Sequence, residues 1–196
     1  MSALPISPAA LDALGFFQYG VVPTSEIPFH PDVRIYCEKN TCRKYGTSWA
    51  CPPGVGTFDE CRERCLSYSH MLVLTKKYDL EDSFDFEGMA AGHDDFAALC
   101  DRLAESLRGR LPRFLVLANE GCPRCGKCTY PDAPCRFPEH LHPSVEALGI
   151  LVSTLAKKAG VNYINGKDTV TYFGAVLYDE GDEGNAGAQL QTPPKG

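Results

Sequence analysis

Three stretches of the chain carry the pattern of buried strands. Residues 70–78, HMLVLTKKY, and 113–119, RFLVLAN, are short apolar runs of strand length. Residues 169–178, TVTYFGAVLY, mix β-branched and aromatic side chains, and the three runs are expected to share one sheet. A helical period takes over in 94–109, where Phe96, Leu99, Cys100, Leu103 and Leu107 form one stripe and Gly109 supplies a stop. That stripe places Cys100 in the core as a small hydrophobe. A second helix is expected from Pro143 to Lys158, with Val145, Leu148, Val152, Leu155 and Ala159 on its inner face. A third and shorter one opens at Thr57, whose partner three residues on, Glu60, completes a capping box. Phe58, Cys61, Cys65 and Tyr68 then share a face, so Cys61 and Cys65 lie one turn apart and point the same way. The first 30 residues give no comparable signal.

The order strand, helix, strand, cysteine-rich loop, helix, strand predicts an α/β architecture: a small mixed sheet with packed helices and cysteine-rich metal-binding loops. The 196 residues are enough to bury a core without help from metal or disulfides. Residues 1–180 are expected to form one cysteine-rich domain, and the polar, Gly- and Pro-rich residues 181–196 a flexible tail.

Charge narrows the range of partners. A formal net charge of −6 argues against a nucleic-acid binder, which needs a basic patch to meet phosphates. The longest mostly apolar stretch, VEALGILVSTLA, is far short of the roughly 20 residues that span a bilayer. The opening MSALPISPAALDALGFFQYG has no basic segment followed by an apolar core, so no secretory signal is read and a cytoplasmic location is expected. In such a reducing compartment ten cysteines are expected to be metal ligands or redox groups rather than a disulfide framework.

The cysteines fall into two groups, with Cys100 standing alone. The sharper group is CPRCGKCTYPDAPCRFPEH, where Cys122, Cys125, Cys128 and Cys135 are spaced C-x2-C-x2-C-x6-C. Three thiols at two-residue spacing let one tight loop wrap an iron–sulfur cube, as in the bacterial ferredoxin run, although the last interval is longer here. The alternatives are a structural zinc, whose usual pairs stand a dozen or more residues apart, and a disulfide or catalytic thiol. The looser group is Cys37, Cys42, Cys51 and Cys61, with Cys65 spare. Tyr45, Trp49 and the prolines around Cys51, and Phe137 in the other group, are candidate apolar shields, which control solvent access and potential at a metal site.

Basic residues crowd both groups: Arg34, Lys39, Arg43, Lys44, Arg62 and Arg64 beside the first, Arg124, Lys127 and Arg136 beside the second. Such cations would stabilise an anionic thiolate cluster. His140 and His142 are expected to lead into and cap the helix that follows. No P-loop, no dinucleotide fingerprint, no H-E-x-x-H and no C-x3-C-x2-C is present.

The segments CEKNTCRKYGTSWACPPGVGTFDEC and CPRCGKCTYPDAPCRFPEHLHPSVEALGI, with the final YFGAVLY, resemble a bacterial and archaeal family of predicted metal-binding proteins, a domain of unknown function. The resemblance runs from about residue 15 to about residue 180, with both motifs in order. It implies Cys37, Cys42, Cys51 and Cys61 as one ligand set and Cys122, Cys125, Cys128 and Cys135 as the other. His142 departs from the family pattern, which commonly has arginine there. The expected function is an iron–sulfur protein with one or two [4Fe-4S] clusters that passes electrons to a redox partner protein. The alternatives are an enzyme whose cluster has an open iron, and a zinc-stabilised interaction module.

Overall fold

The computed structural model describes residues 4–179. Its frame is a four-stranded sheet of β1 (Gln18–Pro23), β2 (His70–Asp79), β3 (Phe114–Leu117) and β4 (Thr169–Tyr178). The spatial order is β1-β2-β4-β3. Every pairing is antiparallel, with Val21 opposite Leu72, Val73 opposite Ala175, and Val116 opposite Val176. The three strands read from the apolar runs are all present in that sheet. β1 is the addition: its burial is mostly partial, so its sequence carries no clean apolar run.

Period-two alternation divides the sheet into two buried faces. Val22, Met71, Val73, Leu117, Ala175 and Leu177 share one core with α3 (Phe58–Leu66) and α5 (Val152–Ala159). Leu72, Leu74, Val116, Val176 and Tyr178 share the other with α1 (Pro8–Leu14) and α4 (Phe86–Leu107). The helix α2 (Asp32–Glu38) lies between β1 and the first cysteine loop. β2 and β3 run the same way with β4 between them, and α4 makes the crossover, a split β-α-β unit. Phe96, Leu99, Leu103 and Leu107 of α4 are fully buried, and Cys100 joins them in the core, as its periodicity indicates.

The capping box forms as read: the Glu60 N–H donates to Thr57 Oγ1 at 3.2 Å, and the Thr57 N–H donates to Glu60 Oε2 at 2.7 Å. The helix expected over 143–158 is a correction, because only Val152–Ala159 is α-helical. Before it a single 3-10 turn, Glu146–Leu148, closes on Gly149 at φ 78°. There the chain is taken by tertiary partners. The His30 N–H donates to the Gly149 carbonyl, the Leu151 N–H to the Pro28 carbonyl, and Phe29 bridges Ile150. The apolar stripe is real, but its first half packs as a turn against the N-terminal segment.

The second cysteine loop is an excursion from the end of β3. Its base is closed where the Ala118 N–H donates to the Pro143 carbonyl and the Val145 N–H to the Ala118 carbonyl. Among the described residues no helix is long and apolar enough to cross a membrane. The tail expected over 181–196 lies outside the described residues.

Candidate metal centres

The second cysteine group is brought together as a unit. Cys122, Cys125, Cys128 and Cys135 all line one small cavity of about 20 Å³, roofed by Trp49, Phe137 and Leu141. That is room for one water-sized body as the loop stands. The thiols are half-buried, whereas Arg124, Lys127 and Arg136 of the same loop are exposed. Desolvation pushes the Cys122 thiol up, against the Arg124 N–H that favours its thiolate. At Cys128 desolvation also raises the thiol, but the N–H groups of Tyr130, Trp49 and Thr129 and the Thr129 hydroxyl outweigh it and hold the thiol below its ordinary value. A nest of donors around sulfur favours the deprotonated form that a metal needs.

The loop is held to the scaffold through Asp101 on α4. Arg124 pairs with its Oδ2, His142 Nε2 lies 3.1 Å from its Oδ1, and His140 Nδ1 lies 3.4 Å from the same oxygen. The two histidines therefore do not cap a helix: His142 fastens the returning end of the loop to α4, and His140 stands beside the same carboxylate with its Nδ1 unbonded among the described residues. Burial lowers the His142 imidazole, with Asp101 pulling the other way. Asp101 was invisible in the sequence, because its partners are 23 to 41 residues distant. Arg136 donates to the Lys127 carbonyl at 3.0 Å, so one of the basic residues near the cysteines fixes the loop's own shape.

The first group is divided. Cys37, at the end of α2, and Cys42 and Cys51, in the loop that follows, line a cavity of about 460 Å³. The loop turns through left-handed backbone at Asn40, Arg43 and Gly46, and Asn40 Oδ1 accepts the Tyr45 N–H at 3.0 Å. Asn is among the few residues that tolerate this conformation. Desolvation raises the Cys37 thiol, with Arg34 opposing it. Desolvation pushes Cys51 up to about 11, against the Ser48 hydroxyl and the Gly121 N–H.

Cys61 stands apart from that trio. It is fully buried beside Cys65 in the core between the sheet and α3. Its Sγ donates to the Val55 carbonyl at 3.6 Å and accepts from Arg34 Nη1 at 3.7 Å. Arg34 also donates to the carbonyls of Ala147 at 2.6 Å and Gly56 at 2.7 Å, so its guanidinium ties Cys61 to the Ala147 turn and to Gly56. Desolvation pushes Cys65 up to about 12, as expected of an inert core thiol.

The two groups adjoin. Gly121, the neighbour of Cys122, lines the cavity of Cys37, Cys42 and Cys51. Trp49, two residues before Cys51, lines the cavity of the other four thiols and gives its indole N–H to the Ala133 carbonyl at 3.0 Å. Its ring meets Tyr130 edge-on at 4.9 Å. Gly54 is required at this seam, since a Cβ there would fall 2.5 Å from the Ser48 carbonyl oxygen and 2.9 Å from the Tyr130 ring. Trp49 thus serves as more than generic core: it is the strut between the two loops.

Seven thiols, six on two adjoining loops and Cys37 at the end of α2, define a cysteine-rich, metal-binding class of protein. Over residues 20–178 the chain matches the family described as predicted metal-binding protein (DUF2284), and it belongs to that family. No curated protein and no solved structure is similar enough to match. The donor chemistry suits a thiophilic metal or cluster. The thiols ring their cavities without meeting at a point: among the described residues no three His, Cys, Asp or Glu side chains are arranged to hold a single ion.

Proposed function

We propose that the protein is an iron–sulfur protein that carries two adjoining clusters and transfers electrons. The observation that supports this most is the gathering of Cys122, Cys125, Cys128 and Cys135 around one cavity. One further feature favours a cluster over zinc: the C-x2-C-x2-C run belongs to cubane ligation. The cavity would widen on loading, which the loop permits because it has little regular secondary structure between Ala118 and Pro138.

Cys37, Cys42 and Cys51 would hold the second cluster. When bound, such clusters supply one-electron redox chemistry. The chain's own part is to shield them with Trp49, Tyr45 and Phe137, to stabilise thiolates with backbone N–H groups, and to set the two sites side by side at Gly121. The redox partner would be another protein.

The test is anaerobic purification followed by iron, acid-labile sulfide and zinc analysis, with visible spectra before and after dithionite. Two cubanes predict about eight irons and eight sulfides per chain and a brown colour that bleaches on reduction. Stoichiometric zinc in a colourless protein would overturn the electron-transfer reading.

A further inference from the structure

We propose that the two cysteine loops form one cationic docking face, and that the partner it receives is a compact protein with an acidic patch. This rests on the electron-transfer reading above and deepens it, by naming the chemistry of the redox partner and the surface that partner meets.

The first ground is the distribution of charge. Residues 39–56, between the end of α2 and the Thr57 cap, hold Lys39, Arg43 and Lys44 and no carboxylate. Residues 118–137, between β3 and the turn at Pro138, hold Arg124, Lys127 and Arg136 against Glu120 and Asp132. Six cations against two carboxylates give the loops a formal charge of +4, whereas the remaining 13 of the 19 cations and 23 of the 25 carboxylates give the rest of the chain −10. A chain that is acidic as a whole thus concentrates positive charge beside its thiols.

The second ground is that these cations are free to meet a partner. Among the described residues Lys39, Arg43, Lys44, Lys127 and Arg136 form no ion pair, and only Arg124 does, with Asp101. All of them except Lys44 are exposed. The Lys44 stem lies against Gly121, where a Cβ would fall 3.2 Å from its Cγ and Cδ, so it joins the two loops into one surface. Arg124 and Arg136 border the four-thiol cavity beside Phe137, with the Arg124 guanidinium 5.8 Å from that ring. Lys39 stands 4.7 Å over the ring of Tyr36, which is 70 % exposed. Exposed aromatic rings beside arginines are typical of protein interfaces. The thiols of the second loop lie half-buried behind this layer, so charge added by a bound cluster sits deeper than the cations a partner meets.

The third ground selects the partner. Complementary charge steers association and fixes orientation. A compact protein with an acidic patch can confine its negative charge to the loops and sit directly over the thiols. A nucleic acid is a poorer match, because its phosphates run past the face and meet the −10 of the remaining surface.

The test uses the anaerobically purified, metal-loaded full chain. Reduced sulfonatopropyl viologen, an anion, and reduced methyl viologen, a cation, each give up one electron to the oxidised cluster, and their rates are compared by stopped flow. The anion is expected to react faster, and its rate to fall as salt rises. A faster cation whose rate falls with salt, as the net charge of −6 alone dictates, would overturn the proposal, as would equal rates. Binding is measured separately, by the anisotropy of a short labelled polyglutamate peptide and of an oligothymidylate of equal charge. Lys39→Glu combined with Lys127→Glu is expected to weaken peptide binding about tenfold or more. Arg110→Glu combined with Lys167→Glu, the same change of charge outside the loops, is expected to alter it by less than about twofold. Lys39→Gln with Lys127→Gln repeats the first comparison without added acid, in case the glutamates disturb metal loading. No peptide binding, equal loss in the two charge-reversed proteins, or tighter binding of the oligonucleotide than of the peptide would overturn the docking face. If the metal proves to be zinc, the viologens transfer no electron and the electron-transfer reading fails, yet the peptide measurements still decide the docking face.

Discussion

The two cysteine loops use similar numbers of thiols in opposite ways. In the second, one short excursion from β3 supplies all four sulfurs to a tight space, and Asp101 fastens both of its arms to α4. In the first, three sulfurs come from a helix end and a turning loop and face a cavity more than twenty times larger, while the fourth candidate is sealed in the core. The difference teaches that ligand spacing describes a loop, but the packing of neighbouring elements decides which thiols a loop can present. Arg34 illustrates this: from α2 it reaches Cys61 on α3, the Gly56 carbonyl and the turn at Ala147.

The largest effect is expected from removing a sulfur of the closed site. Cys125→Ser should abolish its metal and cut the total metal content by about half, leaving the other centre in place. Cys65→Ala and Cys100→Ala should leave metal content unchanged. Metal analysis of the three variants side by side checks the contrast, and a loss in either core variant would erase it.

Next in size is the anchor. Asp101→Ala removes the partner of the exposed Arg124 and of the largely buried His142 ring. A loss of roughly 1–3 kcal/mol in stability is expected for such a deletion, with faster chelator-induced metal release from the closed site alone. Chemical denaturation and release kinetics measure the two consequences. Equal acceleration at both sites would show that the loops are not separately fastened.

Cys100→Ser probes the scaffold on which that anchor stands. Placing a hydroxyl in the fully buried α4 core is expected to cost about 1–3 kcal/mol in thermal or denaturant unfolding without touching metal content.

The smallest effect lies at Asp95, away from both loops. Its carboxylate accepts from Lys76 Nζ and Tyr78 Oη, each at 2.7 Å, and these hydrogen bonds hold it below its ordinary value of 3.8. A depressed carboxyl contributes stability that is fully present above the unfolded value and is lost as pH falls through the folded one. Asp95→Asn should therefore cost a modest amount, about 0.5–1 kcal/mol for a largely exposed pair, at pH 7. The difference should shrink as pH drops below 3.8 and vanish once pH passes below the folded value, as denaturation curves over that range would show.

Much of the fold was legible because its signals are local. The runs at 70–78, 113–119 and 169–178, the α4 stripe with Cys100 inside it, and the Thr57 capping box depend on residues within a few positions of one another. What stayed hidden depends on distant contacts. β1 lacks a continuous apolar face, and the stripe after Pro143 is half turn because the backbone of residues 28–30 captures it. The same division applies to the sites. The C-x2-C-x2-C run announces one compact loop, and the structure gathers its thiols. The long intervals among Cys37, Cys42, Cys51 and Cys61 carry no such geometry. Asp101 and Arg34 act through partners elsewhere in the chain, so only the folded structure reveals them.

The most direct measurement of the account is electron paramagnetic resonance of the dithionite-reduced, anaerobically purified chain, wild type beside Cys125→Ser. Two clusters that adjoin at Gly121 predict overlapping signals broadened by mutual coupling, and a single sharp signal in the variant. A wild-type protein with one isolated signal, or with none and zinc in its place, would contradict the claim of two adjoining redox centres.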